Sequence, residues 1–539
     1  MLIPNTRQWG RFEQAFYGTV LYANPFQDVS VTVRFTTPGG RERTVDAFWN
    51  GGTEWRVRFM PDEIGTWSFV TVCSDEKNHG LHGQRGSFTC SEPSGTMRFD
   101  QHGPVRLSAD RRYLTHADGT PFFWIADTAW NGHLCSTPDE WAHYLNERKR
   151  QQFTVVQWVA TQWISAPDGD WTGELPFSGH ERIQIHPAFF QRLDQKITAT
   201  NNAGLLNAVV MLWAASWSSH GINARNPGFI LPDDQMIRLA RYMLARWGAY
   251  PAVWFINGDG DYRGEKAERW KHIGRAVFSD PYHAPVSLHP GGMQWVVDEF
   301  RHEQWMDIVG YQSGHGDDEN TFDWLVNGPP SVDWKNEPAR PFINLELPYE
   351  DHIAYQSRKK HDDHSVRRAT YWSLLVAPTA GVTYGGHGIW GWDDGSAPPI
   401  GHPTTGIPLA WREALHLPAA EQMKSLSAFF NAFAWWKLIP APQLLANQPG
   451  EQTRAMTITV AQSDEIVVAY LPANEAIALH LSQLPPEFSA DWFDPRTGER
   501  HNAVPKRDGN VIQFTTPEKG DWLLQIRKPA APESVEENT

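Results

Sequence analysis

The sequence predicts an α/β fold, a (β/α)8 barrel with a β-sandwich on each side, and three observations predict it. Eight short apolar runs lie between residues 122 and 384, most of them separated by helical stretches. The segments before and after follow a two-residue alternation broken by turn clusters. A doubly wound sheet would carry a Gly-rich phosphate loop after its first strand, whereas Ile125-Ala126-Asp127-Thr128 stands there.

A chain of 539 residues exceeds what one core usually supports. Residues 1–96 read as the first sandwich. Val31, Val33 and Phe35 alternate with polar residues, as do Trp55, Val57 and Phe59, and Asn50-Gly51-Gly52 marks a turn. Residues 97–415 read as the barrel. Phe122–Ala126 precedes Thr137-Pro138-Asp139-Glu140, a capping box with Pro at the first helical position. Phe153–Val159, Leu205–Trp213, Ala252–Ile256, Pro285–Leu288, Asp307–Tyr311, Pro341–Leu345 and Gly381–Tyr384 follow as strands. Helices are expected over 186–200 and along Met236, Leu239, Ala240, Met243 and Leu244. Residues 416–528 open with a helix over 419–436 and turn to strands such as Ile466–Leu471 and Trp522–Ile526. The polar, acidic 529–539 reads as a disordered tail.

Composition excludes several functions. A formal charge of −15 without a basic cluster argues against nucleic acid, since Arg358–Lys360 is soon followed by Asp362 and Asp363. No run approaches the roughly 18 apolar residues of a membrane span. Residues 1–10 lack the charged and apolar regions of a secretory leader, and three cysteines make an odd set, so reduced thiols and a cytoplasmic location are expected. Cys73 and Cys90 would pair only in an exported protein. The 27 tryptophans suggest, beyond core packing, a cleft with flat walls on which sugar rings can stack.

Barrel chemistry gathers at the C-terminal strand ends. Strand one supplies Asp127 and Trp130 there, strand two Gln157 and Trp158, and strand three Trp213 and Trp217. Strand four ends in Asn257-Gly258-Asp259, strand five in His289, and strand six in Tyr311-Gln312. Strand seven gives Glu346, Tyr349 and Glu350, and strand eight Tyr384, His387 and Trp390. Glycoside hydrolysis needs one carboxyl to protonate the leaving oxygen and another to attack carbon or activate water. Asp259 and Glu346 form the best pair, with Asp261 a rival acid. The alternatives are weaker. Asn257, Asp259, Asp261 and Glu268 occupy calcium-loop positions, but Tyr262 replaces the required Gly. His361-Asp362-Asp363-His364 lies before a helix, and His302-Glu303 lacks a second His, so neither metal nor cofactor is expected.

Four stretches, Phe123–Trp130, Val253–Asp259, Glu346–Glu350 and Thr383–Trp390, resemble the apiosidase-like glycoside hydrolases. Asn24-Pro25-Phe26 and Trp55–Pro61 resemble the sandwich ahead of such barrels, and Trp492–Gly498 a collagen-binding-type sandwich behind them. The resemblance implies a retaining enzyme with Asp259 as acid/base and Glu346 as nucleophile, and an apiose-releasing activity on pectic side chains. Asn257 stands where the family has glycine, which implies a hydrogen bond to a sugar 2-hydroxyl and a different preferred sugar. The expected function is a retaining, exo-acting hydrolase of short oligosaccharides or glycosides. Asp127, Trp130, Gln157, Trp158, Trp213, Asn257, His289, Tyr349 and Trp390 would shape the pocket, and Tyr311 would hold the nucleophile ionised. The rival readings are a carbohydrate-binding protein with a dead barrel and a metal-dependent barrel hydrolase.

Overall fold

The computed structural model describes residues 5–215 and 225–528, and a parallel barrel occupies its centre. Barrel strands one to eight are Trp124–Thr128, Val155–Val159, Leu206–Trp213, Ala252–Gly258, Val286–Ser287, Val309–Gln312, Phe342–Glu346 and Gly381–Tyr384. Strands one to five pair in sequence, as do six to eight, and strand eight returns to strand one with Trp124 opposite Gly381. The seam between strands five and six is a single parallel bridge, Ser287 to Ile308. Every residue of strand three is buried, as a parallel strand covered on both faces requires. Thr137 and Glu140 close the expected capping box on the helix Pro138–Arg150. The helix expected over 186–200 runs Pro187–Asn202, and that over 419–436 stops at Phe430, with a short 3-10 turn at Trp435–Lys437.

Two sheets built from residues 5–91, of five and three strands, enclose a core that includes Phe12, Val33, Phe35, Val57, Trp67 and Phe88. Sheets of six and three strands between Ile439 and Arg527 do the same around Val460, Leu479, Trp492, Phe514 and Trp522. Buried ion pairs tie both units to the barrel. Arg58 of the first and Arg246 of a barrel helix share Asp194, at 2.8 and 2.7 Å. Arg367, on the helix Asp363–Leu375, grips both oxygens of Asp521 at 2.8 and 2.9 Å. Such pairs add little net stability, but losing one partner strands the other charge in the interior.

Cys90 lies opposite Gly65, at the far end of the strand Gly65–Cys73 from Cys73, so these two thiols cannot pair in this fold. All three cysteines are free. The chain from 529 to 539 lies outside the described residues, as does Trp217.

Candidate active site

At the C-terminal end of the barrel a cavity of about 320 Å³ opens between indole and phenol rings. Trp130, Trp163, Trp213 and Trp390 form its walls with Tyr349 and Tyr355, and Asp259 and Glu346 both face it. Most of the remaining tryptophans are core, Trp67, Trp124, Trp141 and Trp254 among them.

Asp259 leaves strand four through Gly258 with φ at +25°, a left-handed backbone value that Asp tolerates better than most residues. Its Oδ1 accepts a 2.6 Å hydrogen bond from Gln312 Nε2, which also donates to the Pro290 carbonyl at 2.7 Å. Glu346 reaches the cavity because strand seven carries one extra residue. Tyr311 pairs with Asn344 and Gln312 with Glu346, which leaves Leu345 without an opposite number. Asn344 turns outward, donating to Ser373 on the helix layer. Strict alternation would send Glu346 the same way, but the bulge turns it inward beside Gln312.

Two histidines flank the carboxylates. The Tyr349 N–H donates to His315 Nδ1 at 3.3 Å, so Nε2 carries the proton and donates to Glu346 Oε1 at 3.0 Å. Burial pushes His315 down to about 4, which keeps it neutral. His289 is buried between the acids, Nδ1 3.5 Å from Asp259 Oδ1 and Nε2 3.5 Å from Glu346 Oε2. Burial opposes a charge on its ring, but the close carboxylates of Asp259 and Glu346 outweigh it and raise its pKa. Burial, then the neighbouring charge of Asp259, pushes Glu346 up to about 8 against the pull of His289.

Six expected site residues meet at this cavity: Asp259, Glu346, Trp130, Trp213, Tyr349 and Trp390. His289 lies beneath them, and Asn257 holds it from below by accepting its backbone N–H at 3.3 Å. Gln157 braces the barrel interior, donating to Thr128 Oγ1 and the Leu345 carbonyl. Three residues are corrected. Asp127 faces the helix layer, where Tyr144 and Arg148 bond its Oδ2 at 2.5 and 2.7 Å. Trp158 also points outward, stacked on His133 at 3.7 Å and bonded to Asn207. Tyr311 packs against Trp295 and Trp324 in the outer layer and does not touch the nucleophile. The rival acid Asp261 is spent on Arg263 outside the cavity, with Oδ1 2.7 Å from its Nε. Asp362 caps a helix and Asp363 pairs with Arg367 there. Trp163, Gln312, His315, His352, Tyr355 and His402 also line the cavity. Of these, only Gln312 sits at a strand end that the apolar pattern marks.

Asp259, His289 and Glu346 offer ligand atoms within 4.8 Å of one another. The imidazole, however, turns a different nitrogen to each acid, and a single ion can take only one of them. The trio therefore fits a charge bridge better than a metal centre. A larger groove, about 830 Å³, borders Trp334, Trp436 and Lys437 beside the second sandwich and is lined by neither Asp259 nor Glu346.

The family model described as "Apiosidase-like, catalytic domain" matches residues 108–437. A domain of unknown function, DUF5060, matches 5–74, and one described as "Putative collagen-binding domain of a collagenase" matches 439–527. No curated protein matches. Among solved structures, a "putative glycoside hydrolase" from Bacteroides vulgatus shares the fold with a TM-score of 0.72 at 19% identity, over 97% of this chain and 99% of that one. A family 5 glycoside hydrolase from the same organism gives 0.69 at 21%, over 81% and 96%. With more than half its length matched by the catalytic-domain model and its acids gathered at the barrel mouth, the chain belongs to the apiosidase-like glycoside hydrolases.

Proposed function

We propose that the protein is a retaining, exo-acting glycosidase of short plant-type oligosaccharides or glycosides, with Glu346 as nucleophile and Asp259 as acid/base. The observation that carries this reading is the spacing of the acids, whose oxygens approach within 4.8 Å. Carboxyls of retaining enzymes lie about 5–5.5 Å apart, whereas inverting ones need about 6.5–9.5 Å to admit a water. Depth supports this division of roles. The Glu346 side chain is 8% exposed and that of Asp259 17%, and the acid/base must meet both the leaving group and the incoming water.

Glu346 Oε2, to which no group among the described residues donates, attacks the anomeric carbon while Asp259 protonates the departing oxygen. A glycosyl ester forms and the C–O bond of the substrate breaks. Asp259, now ionised, takes a proton from water, whose oxygen attacks the same carbon and frees Glu346. One negative charge persists throughout: the single proton of the pair, which burial favours on Glu346, passes to Asp259 for the attack, and Asp259 carries the charge afterwards. His289 touches both oxygens and is the counter-ion in either state. A small cavity walled by rings favours a chain end over a chain interior. The three free thiols support a reducing compartment. No helix among the described residues is long and apolar enough to cross a membrane.

The test is sugar release from nitrophenyl glycosides and plant oligosaccharides by wild type and Glu346→Gln, with proton NMR of the first anomer released. Retention, and a loss of at least about a thousandfold in the variant, equivalent to about 4 kcal/mol of barrier, are expected. Equal release by both proteins would refute the nucleophile assignment, and an inverted product would refute the mechanism.

A further inference from the structure

Gln312 ends the apolar run of barrel strand six and is only 5% exposed, so its amide must find partners inside the protein. Both hydrogens of Nε2 are spent, one on Asp259 Oδ1 at 2.6 Å and the other on the Pro290 carbonyl at 2.7 Å. Turned over, the amide would set its oxygen against two acceptors. The Pro290 carbonyl therefore locks it with the nitrogen toward Asp259. The backbone of Gln312 pairs with Glu346 where strand seven bulges. One residue is thus joined to both carboxylates, by its main chain to Glu346 and by its side chain to Asp259.

The two oxygens of Asp259 have unequal surroundings. His289 Nδ1 stands 3.5 Å from Oδ1, the oxygen that Gln312 already holds. Among the described residues no group donates to Oδ2. In a neutral carboxyl group the carbonyl oxygen is the better acceptor, and the hydroxyl is then the other oxygen. A proton placed on Oδ1 would weaken the bond from Gln312, whose hydrogen has no other acceptor to turn to.

We propose that Gln312 is the positioning residue of the acid/base: by holding Oδ1 it confines the transferable proton to Oδ2. The inference rests on the reading of Asp259 as acid/base. In the first step the proton that Asp259 has taken up passes from Oδ2 to the departing oxygen as the glycosidic C–O bond breaks. In the second, Oδ2 takes a proton from the water whose oxygen attacks the anomeric carbon. Without the amide the proton divides between two oxygens, and the carboxyl loses the bond that fixes its plane. A smaller share of bound complexes then holds the proton in line with the departing oxygen.

The experiment compares kcat/KM, which reports the first step, for dinitrophenyl and methyl glycosides of the sugar that the nitrophenyl panel identifies. Wild type, Gln312→Met, Gln312→Glu and Asp259→Asn are measured as full chains. Dinitrophenolate departs without a proton, whereas methoxide needs one. Gln312→Met removes both hydrogens, and Gln312→Glu keeps the shape with at most one. Each should lower kcat/KM about 10- to 100-fold on the methyl glycoside and less than about threefold on the dinitrophenyl glycoside. Both substrates are assayed on a single preparation, so any unfolded fraction cancels in their ratio. Asp259→Asn should show the same selectivity more strongly. Equal losses on both substrates in the Gln312 variants, or no loss, beside a selective Asp259→Asn overturn the proposal alone. An unselective Asp259→Asn refutes the acid/base assignment, and release of no sugar by wild type refutes the hydrolase reading; the proposal falls with either.

Discussion

Glu346→Gln should abolish catalysis and at the same time stabilise the protein, by an amount that grows with pH. Burial and the charge of Asp259 raise the Glu346 carboxyl from 4.5 to about 8. A raised pKa means the folded chain holds the proton more tightly than the unfolded chain. The stability linked to it is therefore complete below about pH 4.5 and is lost as pH rises through 8. That interval, at 1.36 kcal/mol per unit, amounts to at most about 5 kcal/mol. An amide carries no such term. With an unfolding entropy of about 2.1 cal/mol/K per residue, 5 kcal/mol spread over the whole chain corresponds to about 4–5 °C in Tm. Melting followed by tryptophan emission should give matching Tm values at pH 5 and a variant about 4 °C more stable at pH 9. A difference that is the same at all pH values, or that narrows as pH rises, would show that Glu346 already ionises at low pH and would refute the electrostatic argument.

Three further predictions concern the same elements. Catalysis needs one proton in the site, and burial with the charge of Asp259 holds the Glu346 proton up to about 8, so kcat/KM should fall about tenfold per pH unit above that value; a plateau extending to pH 10 would contradict it. His289→Gln removes the group that lowers the Glu346 pKa, so the basic limb of that profile should move to higher pH while kcat drops about 10- to 100-fold. A packing role alone would lower Tm and leave the limb in place. Asp127→Asn breaks a pair with Arg148 in which both side chains are 0% exposed, so denaturant unfolding should reveal a loss of about 3–5 kcal/mol with KM unchanged. A raised KM at wild-type stability would return Asp127 to the substrate.

The barrel was legible because its strands are continuous apolar runs bounded by helices with recognisable starts, as at Thr137–Glu140. Asp259 and Glu346 were legible because acids directly after such runs have few structural reasons to be there. Asp127, Trp158 and Tyr311 occupy equivalent places yet face outward, since being near a strand end says nothing about which way a side chain points. Alternation could have separated Gln157 from Trp158 once one residue's direction was known. It would have failed at Glu346, because no residue type marks the bulge at Leu345. Trp163, His315, His352, Tyr355 and His402 come from connections after the strands, whose irregular backbone has no period to read.

The extra residue in strand seven sets a reading frame for chemistry that the rest of the barrel does not share. Inserting one residue between Tyr311 and Gln312 of strand six would give Leu345 an opposite number and restore strict alternation, so the reactive oxygen of Glu346 would rotate into the helix layer with Asn344. An insertion variant of this kind that kept full activity would contradict this. Shape and reactivity are therefore specified separately here, and a single-codon gain in the neighbouring strand would convert a hydrolase into a silent sugar receptor with its carboxylate still present in the sequence.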